Sequence, residues 1–165
     1  MNLYAGKILV VDLSENEISV EPLRQEWLKD YWGCWGLALR YFWDLVSPEV
    51  DALSSENALV IMTGPFCGTL VPTSSRFCLV SKSPYTQTVF ETNTGGAFGP
   101  ELKFAGYDGI IIKGQSDSLS YLNISDDEVS IEDAGSMSGK GIFETEKLLK
   151  KAAGSPEAKT LCIGP

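Results

Sequence analysis

The sequence predicts an α+β fold, and three observations carry that prediction. Short apolar segments alternate with period two around polar turns, the pattern of antiparallel hairpins. Helical periodicity appears in a few separate stretches and does not alternate regularly with strands, so a doubly wound parallel sheet is not expected. A strand–strand–helix–strand order also occurs twice along the chain.

The elements follow in order. Ile8-Leu9-Val10-Val11-Asp12-Leu13 is short and β-branched, as a strand should be. Ser14 to Glu17 is a polar turn, and Ile18-Ser19-Val20-Glu21 alternates apolar with polar, which closes a hairpin. From Gly36 the apolar residues Leu37, Ala38, Tyr41, Phe42, Leu45 and Val46 fall on one face of a helix, ended by Ser47-Pro48. Ala58 to Met62 is a continuous apolar run, a buried strand closed by Thr63-Gly64-Pro65. Strands are expected around Phe77 to Val80 and near Val89. Asn93-Thr94-Gly95-Gly96 then leads into a short helix with Phe98, Leu102 and Ala105 on one face and Gly106 as its stop. Ile110-Ile111-Ile112 is another buried strand.

The segment Asp12 to Glu21 parallels Asn123 to Glu132 at a constant offset of 111. A helix over Lys140 to Ala153 follows, with Ile142, Thr145, Leu149 and Ala152 on one face. It ends in Gly154-Ser155-Pro156-Glu157, and a strand over Thr160 to Ile163 is expected before Gly164-Pro165, as the first unit ends in Gly64-Pro65. This reads as an internal duplication, with units at about 7–65 and 118–165 and a site-bearing segment, 66–117, between them.

Composition prunes the chemistry. With 165 residues, 44% hydrophobic and 21% charged, the chain can bury a core as one domain or two small halves. Thirteen basic against 22 acidic residues give a net charge of −9, which argues against nucleic acid and membrane surfaces as partners. A local anion pocket remains compatible with it. There is no histidine, hence no imidazole base, no Ser-His triad and no histidine-ligated metal. Cys34, Cys67, Cys78 and Cys162 form no C-x-x-C pair, so reduced or buried thiols are expected rather than a zinc site or an iron–sulfur cluster of this chain alone. Without a leader or an apolar run of roughly 18 residues, the expected location is the cytoplasm.

The glycine-rich stretch 93–99 is the best candidate site. Glycines before a helix let the backbone approach a ligand, and the helix N-terminus suits a phosphate or other anion. It is neither a P-loop nor a dinucleotide fingerprint, and a turn needed only for tight packing explains the pattern equally well. Arg76, after Ser74 and Ser75, could clamp a phosphate or a planar heterocycle, or simply sit at a strand edge in water. Asp108 and Glu101 are expected to cap or solvate the short helix. Trp27, Trp32, Trp35 and Trp43, with Gly33 and Gly36 among them, suggest a core or a buried interface, since no basic groove accompanies them.

Several segments together resemble a family. They are Leu13-Ser14, Trp32-Gly33-Cys34-Trp35-Gly36-Leu37-Ala38, Ser54-Ser55-Glu56-Asn57, and Thr63-Gly64-Pro65 followed by Gly68-Thr69. Pro72-Thr73-Ser74-Ser75-Arg76 and Ser81-Lys82-Ser83-Pro84 add to these, and above all the long motif running from Asn93-Thr94-Gly95-Gly96 through Gly99-Pro100-Glu101-Leu102 to Gly106-Tyr107-Asp108. The whole is similar to the N-terminal domain of aldehyde ferredoxin oxidoreductases, over nearly the full chain, to Ile163-Gly164-Pro165.

That resemblance implies a saddle of two related β halves carrying paired pterins whose dithiolenes hold tungsten, or sometimes molybdenum. It implies a neighbouring [4Fe–4S] cluster supplied by later domains, and electron transfer to ferredoxin as an aldehyde becomes a carboxylate. The residues carried over are Arg76, between cofactor and cluster; Asn93, whose backbone carbonyl would bind a magnesium bridging the pterin phosphates; and Gly95 and Gly96 at the close approach. Ser75 and Thr94 flank them in the same motifs. Pro100 stands where a small residue is usual, and Cys34 where an arginine or another residue often sits. Family members continue for several hundred residues, so this chain is expected to be the cofactor-binding base of a larger enzyme, inactive alone. Its expected partners are the remaining domains, ferredoxin and, through exposed apolar surface, a second copy. The alternatives are a member acting on an acyl-CoA or aromatic substrate, and a non-catalytic assembly domain.

Overall fold

A computed structural model describes residues 3–165, which form two compact units, one up to Gln115 and the other Ser116–Pro165. The architecture is α+β. In the first unit, strands β1 (Lys7–Asp12), β2 (Glu17–Pro22), β3 (Ala58–Thr63), β4 (Phe77–Lys82), β5 (Val89–Thr94) and β6 (Gly109–Lys113) make one sheet in the order β2-β1-β6-β3-β4-β5. All neighbours are antiparallel except β1 and β6, which run parallel. The sheet is therefore mixed, with the hairpin β1–β2 at one edge and β5 at the other.

Helices α1 (Leu28–Tyr31), α2 (Cys34–Leu45) and α3 (Phe98–Phe104) belong to the same unit. Helix α2 lies on β3 and β4 and buries Leu37, Ala38, Tyr41 and Phe42 against Val60, Met62, Cys78 and Val80. Each fully buried aliphatic side chain of this kind contributes about 1.5–3 kcal/mol, which is why the central strands hold the unit together. The continuous apolar run predicted the buried strand β3 correctly, and β2 is exposed almost throughout.

The segment between the two proposed repeats contributes strands to the sheet of the first unit. Strands β4, β5 and β6 complete the sheet that β1, β2 and β3 begin, because the apolar faces of β3 would otherwise stay open. In the second unit, β7 (Ser120–Ser125) and β8 (Glu128–Asp133) form a two-stranded hairpin, followed by α4 (Ile142–Ala152). Hairpin, 3-10 turn and helix occur in that order in both units. The strand expected over Thr160 to Ile163 is not formed: these residues have no regular structure, and Ile163 is 88% exposed. In the first unit the corresponding run is flanked by two pairing strands; the hairpin β7–β8 takes no third strand.

Candidate functional site

Strands β4 and β5 carry the candidate site on the sheet edge. Their register pairs Phe77 with Thr94 and Cys78 with Asn93. Arg76 and Gly95 each stand one residue beyond the last pair, so the guanidinium-bearing residue and the glycine turn leave the sheet side by side. Thr94 is half-buried, whereas Asn93, Gly95 and Gly96 are exposed. Ser75 is half-buried, and its carbonyl oxygen faces the Cα of Gly99.

The glycines of the motif do different jobs. A Cβ on Gly99 would stand 3.1 Å from Cys67 Sγ, 3.2 Å from Phe77 Cδ1 and 3.3 Å from the Ser75 carbonyl oxygen, so this glycine is required by packing. A Cβ on Gly95 or Gly96 would meet nothing within 4 Å. Gly96 needs its glycine for a φ of +92°, and Gly95 has neither reason within this chain. Space for another group is what remains.

Arg76 shows the same openness. The other two arginines are satisfied: the Arg24 and Arg40 guanidiniums each lie 4.5 Å from the Trp27 ring centroid, and both pair with Asp44. Arg76 is exposed and makes no hydrogen bond or ion pair among the described residues. Its charge acts on the Cys34 thiol. A guanidinium next to an open glycine turn has the donors and the charge to take an anion or a planar polar group.

Cys34 was not legible as part of this site. The turn before α2 puts Trp32 and Cys34 at positive φ, 58° and 48°, with Gly33 seated where a Cβ would touch Pro65 Cδ at 3.0 Å. This brings Cys34 Sγ within 3.7 Å of Asn93 Oδ1. The Cys34 thiol is held down at about 7, first by the Cys78 thiol, then by the Trp35 amide and the Arg76 charge, against burial and Glu91. Cys78 is pushed up by the same partnership and by burial. The Asn93 side-chain amide donates to the Glu91 carboxylate, so one acid stands beside Arg76's neighbours.

Asp108 is not a solvated helix acid. It is 2% exposed and accepts from the amides of Ala5 (3.0 Å) and Gly6 (2.6 Å) and from Lys103 Nζ (2.6 Å). Its position after the helix suggested a cap, but the N-terminal segment folds back onto it. Glu101 is exposed in the first turn of α3, and Pro100, at the third helical position, removes an amide that has no intrahelical partner. Of the tryptophans only Trp27 is packed, edge-on to Tyr41; Trp32, Trp35 and Trp43 are 62%, 54% and 70% exposed. Among the described residues no group of three or more Cys, Asp or Glu is arranged to hold a metal, and no helix is long and apolar enough to cross a membrane.

The fold and the long motif define a domain of a known class. The family model for the aldehyde ferredoxin oxidoreductase N-terminal domain matches residues 8–165, and the chain belongs to that family. It is 41% identical to the tungsten-containing aldehyde ferredoxin oxidoreductase of Pyrococcus horikoshii and 43% to that of Pyrococcus abyssi, covering 98% of this chain and 27% of each relative. It is 40% identical to the aliphatic sulfonate oxidoreductase WOR-like subunit of Pyrococcus furiosus, over 92% of this chain and 24% of that subunit. Among solved structures, the active-site complex BamBC of benzoyl coenzyme A reductase with 1,5-dienoyl-CoA matches with a TM-score of 0.97 and 37% identity, over 99% of this chain and 25% of that one. The chain thus spans about a quarter of the length of these relatives.

Proposed function

We propose that this domain is the base on which the paired pterins of a tungsten or molybdenum oxidoreductase rest. The observation that carries the reading is the pairing of an unpartnered Arg76 with a Gly95 that no contact of its own chain requires. When bound, the metal–pterin group supplies two-electron redox chemistry at a dithiolene-held metal. Arg76 offers its charge and fork of N–H donors to the anionic cofactor, and Ser75 and Thr94 set the two strand ends that aim it. Gly95 and Gly96 admit the cofactor against backbone. The Asn93 carbonyl, on an edge strand, would be this chain's ligand to a magnesium, which would neutralise the charge of the cofactor's phosphates.

The whole protein, on this reading, oxidises aldehydes to carboxylic acids in the cytoplasm, and passes electrons through a [4Fe–4S] cluster of later domains to ferredoxin. The exposed Trp32, Trp35 and Trp43 are the surface those domains cover, and a second copy covers it when they are missing. A second reading has support of comparable weight: the likeness to the sulfonate oxidoreductase subunit and to the benzoyl-CoA reductase complex favours a family member acting on a sulfonate or an aromatic acyl-CoA. Turnover of the complete protein with each substrate class and a viologen acceptor separates the two.

Arg76→Ala in the complete protein tests the cofactor reading itself. Loss of a charge-assisted fork is worth about 1.5–3 kcal/mol, so tungsten and pterin per chain should fall while the fold persists. Unchanged metal and pterin content would overturn it.

A further inference from the structure

The Asn93 side-chain amide is held at both ends. Its Nδ2 donates to the carboxylate of Glu91, also on β5, and its Oδ1 accepts from Cys34 Sγ at 3.7 Å, from the first residue of α2. Glu91 and Asn93 are both exposed, so packing of their side chains does not set this geometry. Cys34 arrives there through a turn with little freedom. Trp32 and Cys34 stand at φ of 58° and 48°, a region that residues with a Cβ rarely adopt. A Cβ on Gly36 would lie 2.7 Å from the Tyr31 carbonyl oxygen, and the Tyr4 hydroxyl donates to the Trp32 carbonyl at 2.7 Å.

The backbone at Asn93 has little else to fix it. Strand β5 is the edge of the sheet, so β4 alone pairs with it, and that pairing stops at Thr94. Gly95 and Gly96 follow, with no side chain to pack and nothing within 4 Å of where a Cβ would stand. A side chain tied to its own strand on one side and to a helix on the other restrains rotation at that strand end.

We propose that Glu91 and Cys34 are positioning residues: they clamp the Asn93 amide and so hold the Asn93 carbonyl in place for magnesium, an assignment that rests on the cofactor reading of the site. Glu91 acts as an acceptor for the amide and not as a metal ligand. Removing a group that orients a metal's ligand typically weakens metal binding by about 10–100-fold.

The test uses the complete protein with its cofactor in place. Magnesium per chain is followed as EDTA is raised, in the wild type and in Glu91→Leu, Glu91→Gln and Cys34→Ala. Glu91→Leu should release magnesium at an EDTA concentration lower by about 10-fold or more, with an unchanged denaturant midpoint. Glu91→Gln keeps an acceptor oxygen without the charge and should hold magnesium as the wild type does. Cys34→Ala should show a smaller loss in the same direction, because a thiol is a weak donor. Retention in Glu91→Leu equal to the wild type overturns the clamp. Release from Glu91→Gln as easy as from Glu91→Leu also overturns it, since the charge and not the hydrogen bond would then matter. Wild-type retention in Cys34→Ala removes Cys34 from the proposal. A wild-type protein with no magnesium to release contradicts the cofactor reading instead, and the proposal falls with it.

Discussion

The motif from Asn93 to Asp108 has two halves that behave oppositely. From Gly99 onward four residues are used by the domain itself: Gly99 admits Cys67 and Phe77, Leu102 is buried, and Lys103 and Asp108 lock the N-terminal segment. From Asn93 to Ala97 the chain is mostly exposed, and its glycines face open space. Sequence alone presents one continuous glycine-rich signature. The structure divides it into a half that makes the fold and a half that the fold leaves open.

The division can be broken first at Asp108. Removing its carboxylate in Asp108→Ala leaves the Ala5 and Gly6 amides without an acceptor and the enclosed Lys103 charge with only the Leu3 carbonyl. The loss should be about 3–5 kcal/mol of unfolding free energy in denaturant titration. A midpoint that hardly moves would show that the N-terminal anchor carries little. Gly99→Val is the next largest. Its side chain must push into Cys67, Phe77 and the Ser75 carbonyl, at a cost of about 1–3 kcal/mol, with no change in slope.

The residues beside the free half respond first in chemistry. Cys34 is lowered from 9.0 to about 7, so its alkylation by iodoacetamide should rise with pH around 7, where an ordinary thiol is still protonated. Because the thiolate is the favoured folded form, its contribution to stability is absent below that point and grows as pH rises through it. Removing Arg76 takes away one of the charges that lower it, so Arg76→Ala should move the profile upward. A profile unchanged in that variant would place the guanidinium too far away to matter.

The strands and helices of the first unit were readable because each carries its own periodicity: β3 as a continuous apolar run, α2 as a single apolar face. The parallel contact of β1 with β6 was not, since it joins residues a hundred positions apart and leaves no local mark. The strand expected at Thr160 failed for a related reason: β-propensity describes fitness for a pleated surface, and these residues find no ladder. Of the candidate site, Arg76, Asn93, Gly95 and Gly96 are suggested by the family motif, and the strand register sets Arg76 and Gly95 side by side. Cys34 beside Asn93 was not, because the positive φ at Trp32 and Cys34 that turns it there has no signature in those residue types. Asp108 reads as a cap or solvating acid of the short helix because nothing in its neighbours announces that Ala5 and Gly6 return to it.

The smallest effect on the fold is the most informative. Gly95→Val adds a side chain to open space, so the unfolding free energy of the domain should change by no more than about 0.5 kcal/mol. The decisive measurement is tungsten per chain in the complete protein carrying that same substitution. Near-total loss of the metal with unaltered domain stability is the predicted result; full tungsten occupancy would show that the open turn holds no cofactor.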